Sequence, residues 1–431
     1  MNLPSPASLW RRLGSFIHHH EKLLLAILAL VIAVSGSLWY RQYFNQDNAP
    51  VAGGTYVEGI VGGSNELTLA AAKLTKSGLF KINAGGTVEN HLVDDWQVNA
   101  ENTEYRFDLK RGIAAGEITG ALEENSDLIG PSSIADVGDG VITVTLATAN
   151  PNLPLLLTQP LFDFGPYKLS KISATTAIFT RNSNERALPA YLNKIVIHAF
   201  ADEATLKVAL EKGKVDGAAL ESSEPVAGTT LFTYKLPRYY AVMLNINKSP
   251  FRDQNYRRSL LSGGVVAAAD VVLTAPDEAE YQPYLDQLVA SWTASGLRVT
   301  VDRRPTAEIA DTVAPSRDFQ ALLTGVSYWP ELNPYYLWHS SQLRPPGNNL
   351  PGIKDDIVDG LIGEIEASLS LALRYEKIDQ LHARLAELGV AVILDQVVKS
   401  IHVVNNVVPA QPWLPLGERD RWQAVDQWYL K

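Results

Sequence analysis

Reading apolar against polar positions from the N-terminus, the first feature is an unbroken apolar run from Leu23 to Val34. Ser35, Gly36, Ser37, Leu38, Trp39 and Tyr40 extend it without charge. About 20 residues cover a hydrocarbon core of roughly 30 Å, so the pattern predicts a membrane-spanning helix over residues 23–40. Arg11, Arg12 and Lys22 precede it and Arg41 follows, which places residues 1–22 in the cytoplasm and residues 42 onward outside. Trp39 and Tyr40 fall where an interfacial aromatic belt lies. A cleaved signal peptide fits the same run, because Ala33-Val34-Ser35 supplies small residues at a processing site. Either reading exports the body.

Beyond a polar linker over 41–54, strand-like and helix-like patterns alternate, as in α/β architecture. Ile195 to Phe200 is β-branched and aromatic and predicts a strand. Asp202 then caps a helix with Leu206, Ala209 and Leu210 on one face, which Gly213 ends before the apolar run Val215 to Leu220. Strand, helix, strand over so short a span implies parallel pairing. Further strands are predicted at Tyr239–Ile246, Leu297–Val301, Phe319–Thr324, Val390–Leu394 and Ile401–Val404. Helices are predicted after Asp253, over Tyr284–Ser295, and on two stripes, Ile357, Leu361, Ile365 and Leu371, Tyr375, Ile378, Leu381, Leu385.

Charge changes the picture next. The 431 residues carry a formal net charge of -10, yet residues 1–47 hold four basic side chains against two acids, so the rest carries -12. An acidic body repels phosphate backbones, which argues against a nucleic-acid partner. The chain has no cysteine, so disulfides, thiolate metal sites, thiol nucleophiles and lipid attachment at an N-terminal Cys are all excluded. No H-E-x-x-H, G-x-S-x-G, Walker A or helix-opening G-x-G-x-x-G is present. No catalytic residue, cofactor or metal is therefore expected.

Four stretches together carry a resemblance. The first holds Ser77-Gly78-Leu79, Val93-Asp94-Asp95-Trp96 and Tyr105 to Lys110. Gly165-Pro166-Tyr167-Lys168-Leu169 is the second. The third runs from Tyr191 to Ile195 through Asp202-Glu203-Ala204-Thr205 to Lys212-Gly213-Lys214-Val215-Asp216. The fourth contains Leu244 to Asn247, Pro250-Phe251-Arg252-Asp253 and Arg257-Arg258-Ser259-Leu260. In this order they are similar to the family 5 extracellular solute-binding proteins, the peptide and nickel receptors of ABC importers. The resemblance implies a two-lobed periplasmic-binding-protein-like (type II) α/β fold with mixed sheets. It divides the body into lobe I (55–245) with a reduced extra subdomain, lobe II (246–398) and a C-terminal return to lobe I (399–431). It also implies a peptide or similar small-molecule ligand, hinged closure and ABC permease subunits as partners, while the N-terminal apolar helix implies attachment to the cell membrane, with the body periplasmic or at the cell surface. The alternative is a membrane-anchored sensory or scaffold protein that keeps the fold without transport; a cell-wall peptide hydrolase has no supporting residues.

The richest local constellation runs from Gly325 to His339. Tyr328, Trp329, Tyr335, Tyr336 and Trp338 supply rings with low entropic cost. Family resemblance places this stretch in the cleft wall, so Tyr328, Trp329, Glu331, Asn333, Tyr335, Tyr336, Trp338 and His339 are the expected ligand contacts. Asn245 and Asn349 are added as polar candidates, although Asn at a strand end or turn is commonly structural.

Overall fold

The computed structural model describes Ser35 and residues 52–431, apart from 84, 185–186, 221–223, 329–331, 346, 410–419 and 423. Except for Ser35, the predicted anchor therefore lies outside the described residues. So do Trp329 and Glu331.

The body is built on a ten-stranded mixed sheet in the order β14-β13-β15-β12-β16-β11-β1-β10-β9-β8. The central strands of one half are β1 (Thr55–Val61), β10 (Lys194–Phe200) and β11 (Gly217–Leu220), mutually parallel. The predicted unit at 195–220 forms as expected: Asp202 accepts the Thr205 N–H at 2.7 Å and caps α3 (Glu203–Glu211). Its two strands are parallel but do not touch, because β1 lies between them. Their edge is extended by the antiparallel hairpin β8 (Tyr167–Ile172) and β9 (Thr176–Arg181). Helix α1 (Ser64–Thr75) covers this half, joined by Trp422, Val425 and Trp428 from near the C-terminus.

The other half contains β13 (Asp270–Pro276), β14 (Arg298–Arg304) and β15 (Ala321–Ser327), again parallel. Helices α4 (Gln254–Leu261) and α5 (Gln282–Ala294) pack against one face. The other face carries α6 (Asp356–Glu366) and α7 (Leu371–Leu388). On α6 the buried stripe is Val358, Ile362 and Ile365, with Ile357 53% exposed. Of the expected stripe Ile365 is buried and Leu361 packs half-buried, while Val358 and Ile362 take the central places and Ile357 lies outside, in the first turn capped by Asp355, which accepts from Ile357 N–H and Val358 N–H. The α7 stripe forms as predicted.

Two long strands join the halves. β12 (Thr229–Leu244) and β16 (Ala391–Val404) lie side by side at the sheet centre. The two C-terminal strand segments expected from the apolar pattern are one strand, since Asp395, Gln396 and Lys399 sit in the ladder where β16 passes between the halves. A separate four-stranded antiparallel sheet, β4 (Val93–Val98), β5 (Glu104–Leu109), β7 (Val141–Leu146) and β6 (Ser132–Gly138), forms its own core with α2 (Ala115–Glu124). The short hairpin β2 (Phe80–Ile82) and β3 (Val88–Asn90) leads into it.

Two motif glycines have a direct steric cause. A Cβ on Gly78 would meet the Leu157 carbonyl oxygen at 2.2 Å, and one on Gly165 would meet the Thr75 backbone at 2.3 Å. Both sit where two backbones touch, so only glycine fits.

Candidate functional site

Register decides where a ligand can sit. The first half of β12, Thr229–Lys235, pairs with Val398–Val404 of β16, and Tyr239–Met243 pairs with Ala391–Gln396. β11 ends at Leu220 opposite Ser400, and β15 ends at Ser327 opposite Arg238. Both sets of parallel strands therefore finish at the middle of the two crossing strands, facing one another across it. A crevice outside the carboxyl ends of strands is where open α/β sheets take ligands. At this level the β12–β16 ladder is interrupted between Lys235 and Tyr239. Pro237 lacks the N–H a ladder needs, and Gln396 Nε2 instead donates to the Leu236 carbonyl at 2.8 Å and to Tyr239 Oη at 3.3 Å.

On the β1 side, a cavity of about 510 Å³ opens at the strand ends, bordered by Ile60, Glu66, Asp202, Lys399, Arg421 and Trp422. Beneath it lies a buried charged cluster. Glu58, 1% exposed in mid-strand, accepts a hydrogen bond from Tyr56 Oη and faces Arg421 Nη1 at 3.1 Å. Burial raises the Glu58 carboxyl above its ordinary range, while Arg421 and the Tyr56 hydroxyl oppose that shift. Arg421 also lies 5.1 Å over the Trp422 ring. Sequence reasoning missed this cluster; the signal was an acid alternating with Tyr56 and Ile60 on the face of β1 that must be buried.

On the β15 side the expected aromatic contacts are largely internal. Tyr328 and Trp338 are 1% and 0% exposed. Trp338 Nε1 donates to Tyr328 Oη at 2.9 Å, and the hydroxyl lies 2.8 Å from His382 Nε2. An indole nitrogen only donates, so the hydroxyl takes the Trp338 proton on one lone pair and shares a second hydrogen bond with His382 Nε2. Burial lowers His382 to about 4, keeping it neutral. Asn245 is spent similarly, donating to the carbonyls of Arg317 and Phe319 and accepting from Asn247 N–H. Asn349 ties the Trp338, His339 and Ile353 carbonyls to the Gly352 and Ile353 N–H groups. These four side chains hold the wall rather than present polar atoms to a crevice.

The other candidates gather elsewhere. Asn333, Tyr335 and Tyr336 border a cavity of about 600 Å³ with Asp127, Asn150 and Glu366. Asn333 Nδ2 donates to Glu366 Oε1 at 3.0 Å, and its Oδ1 accepts the Tyr335 N–H at 2.9 Å. Tyr336 is 65% exposed. His339 stacks on Tyr335 at 4.6 Å and lies 2.9 Å from Ser341 Oγ through Nδ1. Among the described residues no group of three or more His, Asp or Glu is placed to hold a metal, and no helix is long and apolar enough to cross a membrane.

Residues 123–263 match the model of the bacterial extracellular solute-binding proteins, family 5, middle part. The family 5 resemblance is borne out. No curated protein sequence matches the chain. Solved structures share the fold at low identity. HbpA2 from Haemophilus parasuis aligns at 12% identity and TM-score 0.72, over 88% of this chain and 100% of that one. A nickel ABC transporter protein from Bacillus halodurans aligns at 14% and 0.69, over 87% and 99%. The oligopeptide-binding protein AppA from Bacillus subtilis, solved with a nonapeptide, aligns at 14% and 0.56, over 89% and 100%. The mixed-sheet α/β fold of these family 5 structures is thus the fold of this chain.

Proposed function

We propose that the body is an extracytoplasmic solute-binding protein that delivers a peptide or similar small solute to an ABC importer. Leu23–Val34 anchors it at the membrane, and the two halves close about the middle of β12 and β16. The observation that carries this reading is the register of those strands, which brings both sets of parallel strand ends to one crevice beside an interrupted ladder. Two segments joined by two strands can hinge where the ladder is weakest. The family match and the likeness to an oligopeptide-binding protein and a nickel ABC transporter protein support the same reading. The role is binding, with no chemical step assigned.

The test is native mass spectrometry of the purified full-length chain for a retained molecule, followed by thermal melting against peptide and small-solute pools. A true ligand at 100 times its Kd adds about 2.7 kcal/mol of stability, and small-angle scattering should then show a smaller radius of gyration. Glu66→Gln, at the cavity rim, should weaken binding. If no solute raises the melting temperature and scattering never changes, the receptor reading fails.

A further inference from the structure

A second cavity lies away from the crevice. Glu66 and Lys76 sit at opposite ends of α1, about 15 Å of helix apart. At the Lys76 end a cavity of about 130 Å³ is bordered by Lys73, Lys76, Ser77, Lys81, His91 and Asp426. A single water needs roughly 10–15 Å³ by the same measure, so a small polyatomic group fits and a peptide does not.

Two of these side chains are more than nine-tenths buried, and each holds a polar atom without a hydrogen-bond partner among the described residues. They are Ser77 Oγ (6% exposed) and His91 Nε2 (8% exposed). Buried polar atoms are nearly always satisfied, so two orphans in one cavity call for an occupant. The cavity's charge says which kind. Three lysines, Lys73, Lys76 and Lys81, border it against one acid, Asp426, whose own burial raises it to about 6. Lys76 is 3.8 Å from the exposed Asp163, and Lys81 is 3.6 Å from the partly exposed Glu89. Such solvent-screened pairs are weak and exchange readily. Burial, helped by the nearby charges of Lys110 and Lys81, keeps the His91 ring neutral. The imidazole can therefore offer Nε2–H as a donor in a positive field.

We propose that this cavity binds a small oxyanion, a phosphate or carboxylate group, with the Ser77 hydroxyl and His91 Nε2–H donating to it and Lys76 and Lys81 balancing its charge. The site is distinct from the crevice, although Trp422 borders both cavities.

The test uses the full-length chain titrated with inorganic phosphate and, separately, acetate at constant ionic strength, followed by calorimetry and ³¹P linewidth. Saturable binding with one site is expected. Lys81→Gln and His91→Phe should each weaken it about tenfold, the loss typical of a hydrogen bond to a charged group. Ser77→Ala should weaken it severalfold. Should His91→Phe melt early, Lys81→Gln carries the test, because Lys81 is 40% exposed and its removal leaves the core intact. Acetate binding alone assigns a carboxylate group, and phosphate binding alone a phosphoryl group. Saturation by neither probe, or affinities unchanged in both Lys81→Gln and Ser77→Ala, overturns the proposal.

Discussion

Beneath the ends of the two parallel strand sets lie two buried polar clusters of opposite character. Under β1 sits an ion pair, Glu58 with Arg421, and Arg421 also forms part of a cavity wall. Under β15 sits a neutral chain, Trp338 to Tyr328 to His382, whose two aromatic members are buried in the core and whose histidine is half-buried at its end. A charge next to a cavity can respond to what enters it, whereas a satisfied neutral chain only holds its shape. The β1 half therefore supplies the responsive wall and the β15 half the fixed one.

Breaking the charged cluster should have the largest effect. Arg421→Ala leaves Glu58 buried without its cation, a loss of about 3–5 kcal/mol by analogy with other buried pairs. Chemical denaturation should show it, and Glu58→Gln in the same chain should recover most of it. The pH dependence sharpens the point. The Glu58 carboxyl is raised in the folded state, so the folded chain keeps this proton longer than the unfolded one and stability falls as pH rises above about 4.5. Arg421→Ala should steepen that fall.

Tyr328→Phe ranks next. It strands the Trp338 indole N–H and His382 Nε2 together, costing about 2–3 kcal/mol, while Trp338→Phe should cost less because the hydroxyl keeps its histidine. Equal losses would mean the three groups are not a chain. The histidines come third. Burial holds His382 and His91 near 4 in the folded state against 6.5 for a free ring. The unfolded chain thus takes up protons first, and stability drops by up to about 3 kcal/mol per ring as pH falls from 6.5 to 4. His382→Gln should flatten that slope without touching the higher-pH limb. The smallest effect belongs to Asp202, the exposed α3 cap at the cavity rim. Asp202→Ala should lower the melting temperature only slightly and leave solute affinity unchanged, so a measurable loss of affinity would place that carboxylate in the site.

Much of this was legible in the chain. The α3 unit announced itself through Asp202 and Gly213, because capping and a left-handed stop are local chemistry. Gly78 and Gly165 were legible only as members of family-like motifs, whose order pointed to the family fold; that each sits where two backbones touch is seen only in the fold. The crossing strand β16 was not legible as one element, since Asp395 and Gln396 break its apolar pattern where it passes between the halves. The aromatic run was legible as a cluster but not as to which way its rings face. Tyr328 and Trp338 turn inward because His382, distant in sequence, completes their hydrogen bonds. Arg421 carried no local signal at all; only the fold brings it to Glu58.

Trp422 and Trp428 stack on one another and meet the Tyr56 ring edge-on, at 6.4 and 5.6 Å. One core is thus sewn from the two extremes of the described sequence. As the polypeptide is made from its N-terminus, the apolar flank of β1 and α1 stays uncovered until residues 422–428 arrive. Contacts of such separation form late, and a shielding factor that recognises exposed apolar flanks has its longest opportunity on this half of the molecule.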